Sequence, residues 1–99
     1  GELKAREEIE LLLGEGPGAR TRLRILEVLA RKKMNCNQVA REIGVSWWSA
    51  QRHLKLLLDA GLIRPLRFGR RTYYTITHIG LSVLAEARHG KGLETPRLI

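Results

Sequence analysis

A single cysteine in 99 residues excludes an internal disulfide and any zinc site built from several thiolates of one chain. No apolar run nears the roughly 18 residues of a membrane span, and no signal-peptide apolar region is present. His53, His78 and His89 are too scattered to suggest a metal site. Glu42 and Asp59 stand as isolated carboxylates, and there is no paired acid, nucleophile–base set or phosphate loop. An enzyme needs some such constellation, so catalysis is excluded, and no cofactor and no metal are expected. Internal repeats and low-complexity segments are also missing.

What remains is one domain's worth of chain, able to bury roughly 60–70% of its unfolded surface. Lys and Arg number 18 against 10 Asp and Glu, a formal net charge of +8, and thirteen of the cations are Arg. The charge is segregated. Residues 1–15 hold five Glu against Lys4 and Arg6, residues 16–77 carry a local charge of +10, and residues 78–99 are near neutral. A continuous basic stretch is what a polyanion-binding face requires, whereas the plainer alternative is a solvated, Arg-rich surface. The expected protein is soluble, has no membrane association and is intracellular, with an anionic partner. The chain opens on Gly1 and has its only Met at Met34, so Gly1 is expected to be a processing scar, with flanking sequence missing.

Three segments are expected: an acidic amphipathic stretch and Gly/Pro hinge over 1–18, a folded domain over 19–88 and a loose tail over 89–99. In a helix over 2–13, Ala5, Ile9, Leu12 and Leu13 share one face. Gly14-Glu15-Gly16-Pro17-Gly18 then breaks the chain. A second helix spans 19–31, with Leu23, Leu26 and Ala30 as its apolar stripe, widened by Ile25, Val28 and Leu29, and with Arg20, Arg22, Arg24 and Arg31 exposed. Asn35 caps a third helix, 36–43, whose stripe is Cys36, Val39, Ala40 and Ile43, and Gly44 stops it. Cys36 therefore reads as a small buried hydrophobe. Ser46 caps a fourth helix, 47–60, with Ala50, Leu54, Leu57 and Leu58 clustered inward and Gly61 as its stop. After Gly61 the apolar period shortens. Residues 62–67 and 71–76 read as two strands of a hairpin, with Pro65 confining the first to an edge or bulge. Thr77 caps a last helix, 78–88, which is apolar nearly all round and so needs more than one partner surface.

The fold class expected is mainly α with a small antiparallel β-hairpin. Two short helices joined through Gly44-Val45-Ser46 form a helix-turn-helix, and the adjacent hairpin makes it a winged helix-turn-helix. Residues 34–76 resemble the winged helix-turn-helix of ArsR- and MarR-type transcriptional regulators, and the resemblance extends over about 19–88. The stretch from Asn37 to Ser46 is similar to their first motif helix and turn. Ser49-Ala50-Gln51-Arg52-His53-Leu54-Lys55, followed by Leu57 and Ala60-Gly61-Leu62-Ile63, is similar to their recognition helix and its exit. Arg70 to Thr77 resembles the returning wing strand, with Gly80 three residues on. The resemblance implies binding of double-stranded DNA, regulation of transcription and a two-fold homodimer, in the cytoplasm and associated with the nucleoid. Metal-sensing members carry paired cysteines where this chain has none, so a thiolate sensor is not implied.

Within that frame helix 47–60 enters the major groove, and the 62–76 hairpin lies on the minor groove or backbone. Trp48, Ser49, Arg52 and Lys55 point away from the Leu54 stripe, and Gln51 flanks it. Arg52 is suited to a bidentate guanine contact, Gln51 to adenine, Lys55 to phosphate, and Ser49 to phosphate or a base edge. Trp48 suits thymine methyls, the sugar–phosphate chain or a partner protein. Trp47, about 20° from Leu54 on the helical wheel, is expected to close the core. Arg67, Arg70 and Arg71 flank the hairpin tip, where an arginine can enter a narrow minor groove, and Arg64 can add a phosphate contact. Asn37 and Gln38 present donors to phosphate at a helix start. Arg20, Arg22 and Arg24 are further backbone candidates, and His53 is expected to satisfy a local hydrogen bond. Helix 78–88, and helix 2–13 with it or in its place, supplies the dimer surface. Two rival functions stay open: an architectural DNA-binding protein without sequence preference, and a protein-interaction module that docks through Trp48 and Leu56.

Overall fold

The computed structural model describes residues 2–93, with side chains over 6–89. Helix α1 (Glu2–Glu10) runs straight into a π turn (Leu11–Glu15), closed by the Gly16 N–H donating to the Leu11 carbonyl at 3.1 Å. The helical path therefore passes through Gly14, and the break falls on Gly16-Pro17-Gly18. Leu13 is buried, and Ile9 and Leu12 are half-buried. Ala5, expected on the same face, lies outside the described side chains.

Helix α2 (Ala19–Arg31) is central, burying Ile25, Leu26, Val28 and Leu29. Its inward stripe runs through Ala19, Arg22, Ile25, Leu26 and Leu29. Ile25, Leu26, Val28 and Leu29 are thus buried as expected, but the stripe is shifted from its expected centre: Ala30 is exposed, Leu23 is half-buried and Arg22 points inward. Strand β1 (Met34–Asn35) follows, then α3 (Cys36–Ile43) and α4 (Trp47–Asp59). Both helices have the caps their sequences call for. Asn35 and Gln38 form a reciprocal capping box, each accepting the other's backbone N–H at 2.8 Å. Ser46 Oγ accepts the Ser49 N–H at 3.1 Å. Between the two helices Gly44 takes φ 85°, a left-handed conformation that lets α3 end and the chain reverse into α4.

Strands β2 (Ile63–Phe68) and β3 (Arg71–Ile76) form an antiparallel hairpin, turning at Gly69-Arg70, with Ile63 opposite Ile76 and Phe68 opposite Arg71. The sheet order is β1-β3-β2, so a third, two-residue strand joins the expected hairpin, with Met34 opposite Tyr74. Pro65 sits on the edge strand, where its missing N–H breaks no second ladder. Helix α5 (His78–Leu93) starts at Thr77, whose hydroxyl donates to the Gly61 carbonyl at 2.8 Å and accepts the Gly80 N–H at 3.0 Å. It runs past the expected end at Arg88; the rest of the expected tail, residues 94–99, lies outside the described residues. Ile25, Leu26, Leu54, Leu57 and Leu62 are fully buried, and Leu84 of α5 joins them. Each such side chain stabilises the fold by about 1.5–3 kcal/mol. Together they fix α4 against α2 and leave its opposite face open.

Candidate nucleic-acid interface

The open face of α4 carries Trp48, Arg52, Lys55 and Leu56, all exposed, with Ser49 and Gln51 half-buried on its flanks. Trp48 is 77% exposed and Leu56 39%. The two indoles meet edge to face, ring centres 4.8 Å apart and planes at 89°. Trp47 departs from expectation: at 40% exposure it is not a core residue. It occupies the first helical position and borders an open cleft together with Cys36 and Tyr74, so its wheel position faces the stripe but one side of the ring stays open to solvent. Lys55 Nζ lies 3.4 Å from Asp59 Oδ2 in an exposed i,i+4 pair, a contact worth little in water.

Arg67, Arg70 and Arg71 are exposed around the hairpin tip, as is Arg64 near the start of β2. Phe68 and Tyr73 pack edge to face across the two strands at 5.6 Å, which stiffens the base of the tip. Between the starts of α3 and α4 and strand β3 lies an open cleft of about 440 Å³, lined by Asn37, Gln51, Arg71, Thr72 and Trp47 among others. The structure thus brings three expected site residues (Asn37, Gln51 and Arg71) to one cleft. Gln38 is not among them: its carbonyl is held in the capping box, and it borders a separate surface with Lys32, Arg41 and Glu42. Thr72, not singled out from the sequence, and Trp47, expected in the core, also line the cleft. The two-residue period of a strand gave the signal for Thr72, which shares a face with buried Tyr74.

Cys36 is buried, its thiol 3.8 Å from the Trp47 carbonyl, and burial pushes that thiol up from its ordinary value. A thiol so held is protonated at neutral pH and is a poor nucleophile. Arg22 and His53 form a second departure. Neither is a surface group. His53 Nδ1 lies 3.1 Å from Arg22 Nη1, so its partner is 31 residues away and not local. Burial first, then the Arg22 and Arg52 cations, hold the His53 ring below its ordinary value. Arg22 is therefore no backbone contact, while Arg20 and Arg24 stay exposed and Arg24 reaches the Ile43 carbonyl at 3.4 Å.

In fold this is a winged helix-turn-helix domain, and residues 18–65, just under half of the chain, match the family model of a helix-turn-helix domain. Its structural likeness is to regulators of the ArsR type. The homodimeric winged helix-turn-helix DNA-binding domain of a possible ArsR-family transcriptional regulator from Mycobacterium bovis superposes with TM-score 0.80 at 23% identity, over 99% of this chain and 88% of that one. An ArsR-like transcriptional regulator from Rhodococcus sp. RHA1 does so with TM-score 0.72 at 24% identity, over 95% and 85%. A cysteine-to-serine mutant of ZitR from Lactococcus lactis, solved in complex with DNA, gives TM-score 0.64 at 26% identity, over 77% of this chain and 56% of that one. No curated protein matches the chain by sequence.

Proposed function

We propose that the protein is a sequence-specific regulator of transcription that binds double-stranded DNA as a homodimer. One observation carries this: the face of α4 left open by the core presents Trp48, Arg52 and Lys55 beside an arginine-tipped wing, within the stretch that holds the chain's positive charge. In this reading α4 lies in the major groove, where Ser49, Gln51 and Arg52 read base edges and Trp48 packs on methyls or sugars. Asn37, Gln38 and Lys55 position the backbone, and Arg67, Arg70 and Arg71 follow the minor groove or the phosphates. Residues 1–18 serve as an N-terminal appendage to a DNA-binding domain over 19–88, whose last helix continues to Leu93. The site of action is the cytoplasm, on the nucleoid.

The dimer is assigned to α5 together with the N-terminal helix. Ile79 and Leu81 of α5 are 57% and 46% exposed, and Leu11 of the π turn is 62% exposed, apolar groups a second copy would cover. The M. bovis domain of the same fold is homodimeric. Sedimentation as a monomer at tens of micromolar would count against this part. The function itself is tested by binding to a pool of randomised duplexes near physiological salt and sequencing what is enriched. A palindrome is the expected result. Binding without enrichment would favour the architectural role, and no binding would turn attention to a protein partner of the exposed Trp48–Leu56 face.

A further inference from the structure

Arg22 and His53 are the buried polar side chains of the described core, at 4% and 5% exposure, and nothing in the DNA reading uses them. A guanidinium taken out of water with no carboxylate beside it must be held by dipoles. Three acceptors do this. Arg22 Nε donates to the Leu12 carbonyl at 2.7 Å, Nη2 to the Pro17 carbonyl at 2.8 Å, and Nη1 meets His53 Nδ1 at 3.1 Å. The first two belong to the N-terminal segment and the third to α4, next in sequence to Arg52. Gly18, at φ 79°, completes the corner: a Cβ there would stand 2.7 Å from His53 Cε1 and 2.9 Å from Arg22 Nη1.

Arginine offers no acceptor, so Nδ1 of His53 must accept, and the ring is neutral with its proton on Nε2. A second proton would remove the acceptor and set imidazolium against guanidinium. The charged groups acting on the ring are both cations, Arg22 from α2 and Arg52 from α4 itself; α3 and β2, also packed on α4, add none among the described residues.

We propose that Arg22 is a positioning residue for DNA recognition: through a neutral His53 it fixes the reading face of α4 against the N-terminal segment, and protonation of His53 releases that hold. The proposal rests on the DNA-binding reading above. Since the N-terminal segment is also part of the assigned dimer surface, the bridge ties the orientation of α4 to that of the partner protomer.

The test uses the full chain as wild type, His53→Gln and Arg22→Lys, each titrated with the duplex that the wild type enriches from a randomised pool. The pH runs from about 7.5 down to about 5.5, across the range where histidine titrates. Wild-type affinity should fall at least about fivefold over that range, the scale of a modest coupling between sites. Gln keeps an acceptor and does not titrate, so His53→Gln should bind like wild type at the upper pH and stay flat. Arg22→Lys keeps the charge but cannot reach three acceptors, and should bind several-fold more weakly at the upper pH while circular dichroism shows it folded. A His53→Gln profile as steep as wild type, or Arg22→Lys binding as tightly as wild type, would overturn the proposal. Imidazole nitrogen chemical shifts of the free protein test the bridge without DNA: the neutral Nε2–H form should persist below the ordinary histidine value, and titration at or above that value would also overturn it. Failure to bind any duplex would sink the DNA-binding reading, and the role of Arg22 in recognition with it, leaving the chemical shifts to speak for the bridge alone.

Discussion

Two arginines on the open surface should behave differently because they meet different chemistry. In the proposed reading Arg52, on α4, meets a base edge, so Arg52→Ala should cost about 1–3 kcal/mol and relax choice at one base pair. In the same reading Arg70, at the wing tip, meets the backbone or a narrow groove, so Arg70→Ala should weaken all sequences alike. Sequencing the pools that each variant enriches separates the two; unchanged selectivity in Arg52→Ala would remove α4 as the reading helix. The buried corner makes its own predictions. Gly18→Ala places a Cβ against His53 and Arg22 at a left-handed φ, which alone costs an alanine about 1–2 kcal/mol. Urea unfolding should show it destabilised by at least that much, and a neutral result would mean that the corner yields. The corner also gives folding a pH slope. The His53 ring is held below its ordinary value by burial and by Arg22 and Arg52, so the unfolded chain takes up a proton that the folded chain refuses. The stability from the neutral ring is whole above the ordinary histidine value and is lost as pH falls through it towards the folded value. Thermal melts should show this slope in wild type and a flatter one in His53→Gln.

At the scale of the element, α4 depends on its first turn, which holds Trp48 and Ser49. Ser46 Oγ satisfies a backbone N–H there that has no helical partner, so Ser46→Ala should cost about 0.5–2 kcal/mol and fray the turn proposed to meet DNA. Both melting temperature and DNA affinity should drop, and Ser46→Asp should restore the melting temperature. What made α3 and α4 legible in sequence is that their signals are local: a cap residue at each start, and Gly44 between them at φ 85°. The hairpin was legible for the same reason, through its short apolar period and the glycine between its strands, although Phe68, read as part of the connection, ends β2. Features set by distant partners were not. Arg22 looks like one more surface cation until the Leu12 and Pro17 carbonyls and the His53 ring are brought around it. Strand β1 has two residues, too few for any period, and Asn35 already served as a cap. The π turn escapes a 3.6-residue pattern because its closing bond spans five residues, from Gly16 to Leu11. Trp47 lies on the right side of the wheel, but at the first helical position it borders an open cleft and stays 40% exposed.

For the molecule as a whole, the basic stretch from 16 to 77 is the quantity to test, because its charge is far larger than any one base contact needs. Charges that face solvent only would leave affinity little changed by salt, whereas charges that neutralise phosphates release condensed counterions, and each contact adds about −0.9 to the slope of log K against log salt. In the proposed reading about five or six cations per protomer neutralise phosphates, drawn from Arg52 and Lys55 on α4 and from Arg64, Arg67, Arg70 and Arg71 on the wing. The expected slope is then roughly −5 per protomer, and about twice that for a dimer engaging both half-sites. Fluorescence anisotropy from about 50 to about 200 mM salt measures it. The two-fold arrangement makes a second, geometric demand on the same complex: the enriched half-sites should lie about one helical turn apart, roughly 34 Å. Inserting half a turn of DNA between them should return the slope to the single-protomer value while leaving each half-site's sequence preference intact. A slope near zero would show that the arginines are solvated surface. An unchanged steep slope after the insertion would show that the charge coats DNA without registering the two-fold site.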